Sequence, residues 1–239
     1  MIKILYQDKH IIAVEKPVGI LSAPAPDGSE YIGQLLMEEK SIPEPFIIHR
    51  LDRNVSGAMI LAKRKDAAGK LSALISERSF VKEYLAVVHG VPEYGCGIYK
   101  DLLFRDSASN KTYVTDKLRK GVKDASLEFA VLGSVSSDDG TLSLVRIKLH
   151  TGRTHQIRAQ FSSRKTPLFG DGKYGSHTNR GSIALHSARL SFVHPFTKKD
   201  IDIISIPQTD YPWSLFENKL SDDIFSLPIL HDSLSEKEV

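Results

Sequence analysis

Nine residues, His49-Arg50-Leu51-Asp52-Arg53-Asn54-Val55-Ser56-Gly57, set one carboxylate between two guanidinium groups before the chain returns to the apolar run Met59-Ile60-Leu61-Ala62. The flanking Arg50 and Arg53 favour the charged form of Asp52, which suits a nucleophile or a base better than an acid. The plainer account is an ion pair in a turn, with Ser56 and Gly57 supplying backbone hydrogen bonds and permissive dihedrals. A second polar cluster, Arg153, His155 and Arg158, falls at the start of a short predicted helix within His150 to Phe161. There Gly152 permits a tight approach, Thr154 can cap, and Ile157 with Phe161 forms an i, i+4 apolar pair. The plainer reading of this cluster is an exposed basic helix. His150 and His155 suggest a metal, but the chain lacks His-Glu-x-x-His and neither histidine has an obvious third ligand.

The elements around these clusters read mainly as strands. Ile2 to Tyr6 and Ile11 to Val14 form a predicted strand pair that Lys16-Pro17-Val18-Gly19 stops with a rigid turn; Lys16 either lines a site or is solvated, and the second is the simpler reading. Ser29 is placed to cap a helix over Tyr31 to Glu39, and Asp66 to cap one running through Ser76, with Leu71, Leu74 and Ile75 as its apolar stripe. Phe80 to Gly90 reads as a strand with Lys82, Tyr84 and Ala86 on one face and Glu83, Leu85 and Val87 on the other. Irregular strands are expected around Tyr99 to Phe104 and Thr112 to Thr115, then a basic loop at Lys117 to Lys123. Ala125 to Leu132 and Leu142 to Lys148 are further strands, joined through a turn at Ser136 to Gly140. Ile201 to Ile206 is the last strand, and Trp213 is assigned to packing.

With 239 residues, 41% hydrophobic and 26% charged, the chain has the composition of a soluble globular protein that can bury a core. No apolar run approaches the roughly 18 residues needed to span a bilayer, and the N-terminus lacks signal-peptide anatomy, so a cytoplasmic protein is expected. The single cysteine, Cys96, excludes an intrachain disulfide and a Cys-clustered zinc site. Residues 217–239 carry six acidic and two basic side chains, so of the net +3 the body, residues 1–216, holds +7. A basic body is compatible with nucleic acid. One strand-rich α+β domain over 1–216 followed by an acidic tail over 217–239 is the expected organisation, the tail either docked or frayed around Pro228.

The nonapeptide resembles the HRLDxxTSG signature of the RluA-type RNA pseudouridine synthase family, in which the aspartate is the catalytic residue. Tyr6 to Gly19, ending in Lys16-Pro17-Val18-Gly19, is similar to the family's first motif. Lys82-x-Tyr84-x-Ala86 followed by Gly90 is similar to the second, and Gly152-Arg153-Thr154-His155-Gln156-Ile157-Arg158 to the third, GRxHQIR. Pro167 to Gly175 matches PLxGDxxYG, and the match continues through Leu185-His186 to His194-Pro195. The resemblance therefore covers about 190 residues, from Tyr6 to Pro195, with its motifs in order.

The resemblance implies the pseudouridine synthase fold, a mixed, largely antiparallel β-sheet with flanking helices and loops around a central cleft. It implies that Arg158 pairs with Asp52, that Tyr84 stacks on the target base, and that Arg50 fills the space the flipped base leaves. His49, Arg53, Lys16, Arg153, His155 and Lys82 are expected to bind substrate. The partner implied is ribosomal or transfer RNA, with no cofactor, no metal and no membrane, and the protein is expected to be a compact monomer. Uridine isomerisation breaks the bond from C1′ to N1, rotates the uracil and rejoins it through C5. Asp52 could add to C1′ or C6, or remove a ribose proton.

Two features depart from the family. Val55 stands where a threonine is usual, removing a hydroxyl beside Ser56. The chain also begins directly at its first strand, leaving no room for the small S4 RNA-binding domain of some relatives, so the catalytic domain is expected to grip RNA itself. A noncatalytic RNA-binding module is the first competing class, opposed by Asp52, Tyr84 and Arg158 occurring together. A nucleoside or glycoside hydrolase is the second; it normally needs a paired carboxylate, which none of the motifs supplies.

Overall fold

The computed structural model describes residues 1–178, 182–226 and 229. In chain order the elements are β1 (Lys3–Gln7), β2 (Ile11–Lys16), α1 (Ile32–Lys40), β3 (Phe46–Ile47), β4 (Ser56–Ala62), α2 (Lys65–Ser76), β5 (Val81–His89), β6 (Cys96–Asp106), β7 (Lys111–Thr115), β8 (Val122–Ser137), β9 (Gly140–Leu149), α3 (Gln156–Ser163), β10 (Leu185–Val193) and β11 (Asp200–Ile204). They form two compact units, Met1–Lys82 with His186–Pro207, and Glu83–Leu185 with Gln208–Val239.

In the first unit β1, β2, β4, β10 and β11 lie in that order, with β3 also on β4. The ladders are antiparallel except β4 with β10, which is parallel. Strand β4 reads Ser-Gly-Ala-Met-Ile-Leu-Ala because it is covered on both faces, and everything after Ser56 is buried. Helix α2 lays Ala67 and Leu71 onto a core of Ile11, Ala13, Ile60, Leu190 and Phe192. Of the expected stripe Leu71 is buried, while Leu74 and Ile75 pack partly buried against the same core, and the cap is Arg64 with Asp66 in the first turn. For α1 the cap is likewise Tyr31, without a side-chain bond, while Asp27 Oδ1 accepts from the Ser29 amide at 3.0 Å and closes the preceding loop.

In the second unit β5, β9, β8, β6 and β7 form a wholly antiparallel run. The turn from β8 to β9 is the tight one the composition demanded: Ser137 pairs with Gly140, whose φ of +86° falls to glycine at no steric cost. Strand β5 is buried from Glu83 to His89, so both of its faces are covered rather than one. Helix α3 seats Phe161 against Tyr99 and Phe129, with ring centroids 5.3 and 5.8 Å away. Trp213 and Phe216 are buried, as a packing role requires. The tail is docked as far as Phe225: Arg146 Nη1 donates to the Ile224 carbonyl, and its guanidinium lies 5.0 Å from the Phe225 ring. Pro228 and the tail's end lie outside the described residues. Among the described residues no helix is long and apolar enough to cross a membrane.

Candidate active site

Asp52 lies half-buried in the loop between β3 and β4, and the backbone on either side of it is tied at almost every step. On the entry side the buried Ser22 hydroxyl donates to the Leu51 carbonyl at 2.8 Å and accepts from the Leu51 amide at 2.9 Å. Asp52 itself opens a turn, its carbonyl accepting from the Val55 amide at 3.1 Å. Arg53 and Gly19 exchange two bonds: the Gly19 amide donates to the Arg53 carbonyl at 2.8 Å, and Arg53 Nε donates to the Gly19 carbonyl at 2.9 Å. Such ties remove the freedom a loop would otherwise lose at the moment of reaction.

Lys16 is fully buried, which corrects the solvated reading. Its Nζ donates to the carbonyls of Pro17 and Ile20 at 2.8 Å each and of Arg53 at 3.3 Å, so the ammonium bolts the Lys-Pro-Val-Gly turn to the Asp52 loop. Burial pulls its pKa from 10.5 to about 8, while the negative charge of Asp52 pulls the other way. His49 also points inward. Its Nε2 accepts from the Ile60 amide at 3.0 Å and its ring lies 6.1 Å from Phe80. Burial, helped by the charge of Lys82, drives its pKa to about 3, so it is a neutral ring with its proton on Nδ1. Lys82 is half-buried, with its ammonium 5.7 Å from the Phe80 ring and its pKa lowered by burial. Of the residues singled out in this unit, Arg50 and Arg53 are exposed. Val55, where a threonine is usual, is packed into the core at 2% exposure.

In the second unit Arg158 is buried at the second position after the α3 start. Its Nε and Nη2 donate to Asp171 Oδ2 and Oδ1 at 2.6 and 2.9 Å, a bidentate pair, and its guanidinium lies 4.8 Å from the Tyr174 ring. Tyr174 is a hub: its hydroxyl accepts from the Thr112 amide at 2.7 Å and lies 3.1 Å from His155 Nδ1. His155 takes a left-handed φ of 54° as the N-cap of α3, where Thr154 was expected to cap. The side chain that closes this helix start is Gln156, whose Oε1 accepts from the Thr151 hydroxyl at 2.7 Å and the Arg153 amide at 3.1 Å. Arg153 is exposed and donates to the Asp124 carbonyl at 2.9 Å. Tyr84 is buried on β5 opposite Ile147 of β9, next to a buried ion pair in which Arg146 Nε meets Glu83 Oε2 at 2.6 Å. Sequence reasoning missed Ser22, Asp171 and Tyr174; the last two lie inside a motif read as loop-shaping. Among the described residues no cluster of three or more His, Cys, Asp or Glu side chains could hold a metal ion.

A family model described as RNA pseudouridylate synthase matches residues 10–163. An uncharacterized RNA pseudouridine synthase of Aquifex aeolicus is 34% identical over 235 residues, covering 89% of this chain and 72% of that protein. The ribosomal large subunit pseudouridine synthase C of Buchnera aphidicola is 32% identical over 219 residues, with 85% and 66% covered. The tRNA pseudouridine synthase C of Pasteurella multocida is 31% identical over 224 residues, with 84% and 90% covered. The chain thus spans only about two thirds of several of the curated relatives it matches, 64% in one Mycoplasma pneumoniae protein. The solved structure of human RNA pseudouridylate synthase domain containing 1 superposes with a TM-score of 0.74 at 24% identity, over 89% of this chain and 85% of that one. That likeness shows the fold, the mixed and mostly antiparallel α+β architecture expected from the motifs.

Proposed function

Because the chain belongs to the RluA-type RNA pseudouridine synthases, enzymes of the isomerase class, we propose that residues 1–216 convert specific uridines of ribosomal or transfer RNA to pseudouridine, with Asp52 as nucleophile or base. The observation that carries this reading is the Asp52 loop. A carboxylate placed in a merely structural ion pair needs no such framework, whereas here Ser22, Lys16, Gly19 and the Val55 amide fix the backbone from Leu51 to Val55. Preorganisation of that kind is what a single catalytic carboxylate demands.

The reaction is an exchange of one glycosidic bond for another within a single nucleotide, redox-neutral and without net proton change. A positioned carboxylate suffices, and the reading calls for no cofactor. A uridine in folded RNA must be extruded at a cost of a few kcal/mol, part of which stacking on an aromatic side chain offsets; Tyr84 takes that role. Arg50, exposed and planar, occupies the gap in the stack. Arg158, aimed by Asp171, supplies the guanidinium of the third motif. The Buchnera relative, at 32% identity, is named for ribosomal RNA and the Pasteurella relative, at 31%, for transfer RNA, so either class is a candidate substrate.

The test is pseudouridine mapping of total RNA from cells lacking the gene, with wild type or Asp52→Asn restored. Sites regained with wild type alone are the expected outcome and name the substrate. Sites regained with Asp52→Asn would remove Asp52 from its role.

A further inference from the structure

The Asp52 turn leaves through Ser56 into β4, and the group that holds this exit comes from the far end of the chain. Strand β10 runs parallel to β4 with His186 opposite Ser56 and Ser187 opposite Gly57. The approach is close enough to require glycine: Gly57 has φ +110°, and a Cβ there would stand 2.3 Å from the Ser187 carbonyl oxygen. At that contact the buried His186 ring places Nδ1 2.8 Å from the Ser56 hydroxyl and Nε2 3.0 Å from the Ser205 hydroxyl. Ser205 in turn donates to Glu15 Oε2 at 3.1 Å, and Lys3 meets the same carboxylate oxygen at 3.1 Å.

These links have one consistent direction. Glu15 is an acceptor, so it takes the Ser205 proton. The Ser205 oxygen is then left to accept, which puts the imidazole proton on Nε2 and leaves a lone pair on Nδ1. Ser56 must therefore donate to His186. Burial lowers the pKa of His186 to about 4, against an opposing pull from Glu15, so the ring is neutral and the single-tautomer chain holds. Val55 offers no hydroxyl, so the Ser56 side chain supplies the polar hold where the turn meets β4.

We propose that His186 is a positioning residue for the isomerisation: its Nδ1 fixes Ser56 and with it the exit of the Asp52 turn, while Ser205 and Glu15 select the tautomer that can do so. The proposal rests on Asp52 being the catalytic carboxylate.

The two nitrogens can be separated by substitution. In His186→Asn the side-chain amide reaches the place of Nδ1 and still offers Ser56 an acceptor; His186→Gln reaches the place of Nε2 and offers Ser56 nothing. Full-length variants are compared by single-turnover kinetics on an in vitro transcript carrying a mapped site, with RNA affinity and thermal unfolding measured alongside. His186→Gln and Ser56→Ala should each slow turnover by about 10- to 100-fold with RNA affinity unchanged, the size expected of a small misplacement of a reacting group. His186→Asn and Ser56→Thr should stay within about 3-fold of wild type, since each keeps the bond. The double variant Ser56→Ala/His186→Gln should be no slower than the slower single variant. Equal losses in the Asn and Gln variants, multiplying effects in the double, or rates that merely follow thermal stability would overturn the proposal. Should the His186 variants fail to fold, the Ala and Thr variants of Ser56 decide it: equal rates refute it. Asp52→Asn in the same assay keeps the two readings apart, because activity there sinks the catalytic assignment itself.

Discussion

Removing Asp171 tests whether the third motif delivers a guanidinium or only a helix. The Arg158–Asp171 pair is almost entirely out of water, with side-chain exposures of 8% and 1%, and both contacts are short. Truncating Asp171 removes the buried bidentate partner of Arg158, a loss of about 3–5 kcal/mol. For a chain of 239 residues, each kcal/mol moves the midpoint by about 2–4 °C, so Asp171→Ala should lower Tm by about 6–20 °C. Turnover should fall by at least about 100-fold at temperatures where the variant is still folded, because the cation beside Tyr174 is no longer aimed. The double variant Arg158→Met/Asp171→Leu separates the two effects. Apolar replacement of a buried pair is often neutral or stabilising, so Tm should return towards wild type while turnover does not. Thermal unfolding by circular dichroism and single-turnover kinetics read the two quantities independently. Asp171→Ala within about 1 kcal/mol of wild type, or an active double variant, would refute this account of the pair.

Lys16 makes a prediction with a definite sign. Its folded pKa of about 8 lies below the ordinary 10.5, so between those values the unfolded chain holds a proton that the folded chain has released. Stability then rises with pH across that window. Measured by urea unfolding against Lys16→Met, wild type should gain about 2–3 kcal/mol from pH 7 to pH 10; a pH-independent difference would place the ammonium in water. Gly57→Ala should cost more than about 4 kcal/mol or prevent folding, since both the backbone conformation and the Ser187 contact exclude a methyl group. A soluble variant with wild-type urea midpoint would contradict the tight β4–β10 approach.

What could be read from the sequence was whatever depends on near neighbours. The β8–β9 turn follows from Asp138-Asp139-Gly140, and the α3 apolar pair from Ile157 and Phe161, both buried. The order of the motifs was enough to reach the fold and the family. Helix caps were less legible: Ser29, Asp66 and Thr154 have good capping side chains, but the chain entering each helix is directed by tertiary contacts, and Tyr31, Arg64 and His155 occupy the cap positions. Inward-facing polar groups were the least legible. Two of the Lys16 carbonyls, Pro17 and Ile20, lie in the turn that follows it, but the Arg53 carbonyl 37 residues on and the β4 amide that meets His49 are in place only once β2, β3 and β4 are assembled. Asp171 lies 13 residues beyond Arg158 and His186 lies 130 beyond Ser56, distances at which spacing carries no periodic signal.

That last separation has a consequence for the order of events on the ribosome. The Asp52 loop, the strand bearing Tyr84 and the helix bearing Arg158 have all been synthesised well before His186. Until β10 emerges, β4 lacks its parallel neighbour, Gly57 has no backbone against it, and the exit of the loop is unfastened. Pairings of such long sequence separation form late in folding. On the proposed reading, a nascent or prematurely terminated chain that ends before β10 carries Asp52, Tyr84 and Arg158 while the exit of the Asp52 turn still lacks its His186 hold.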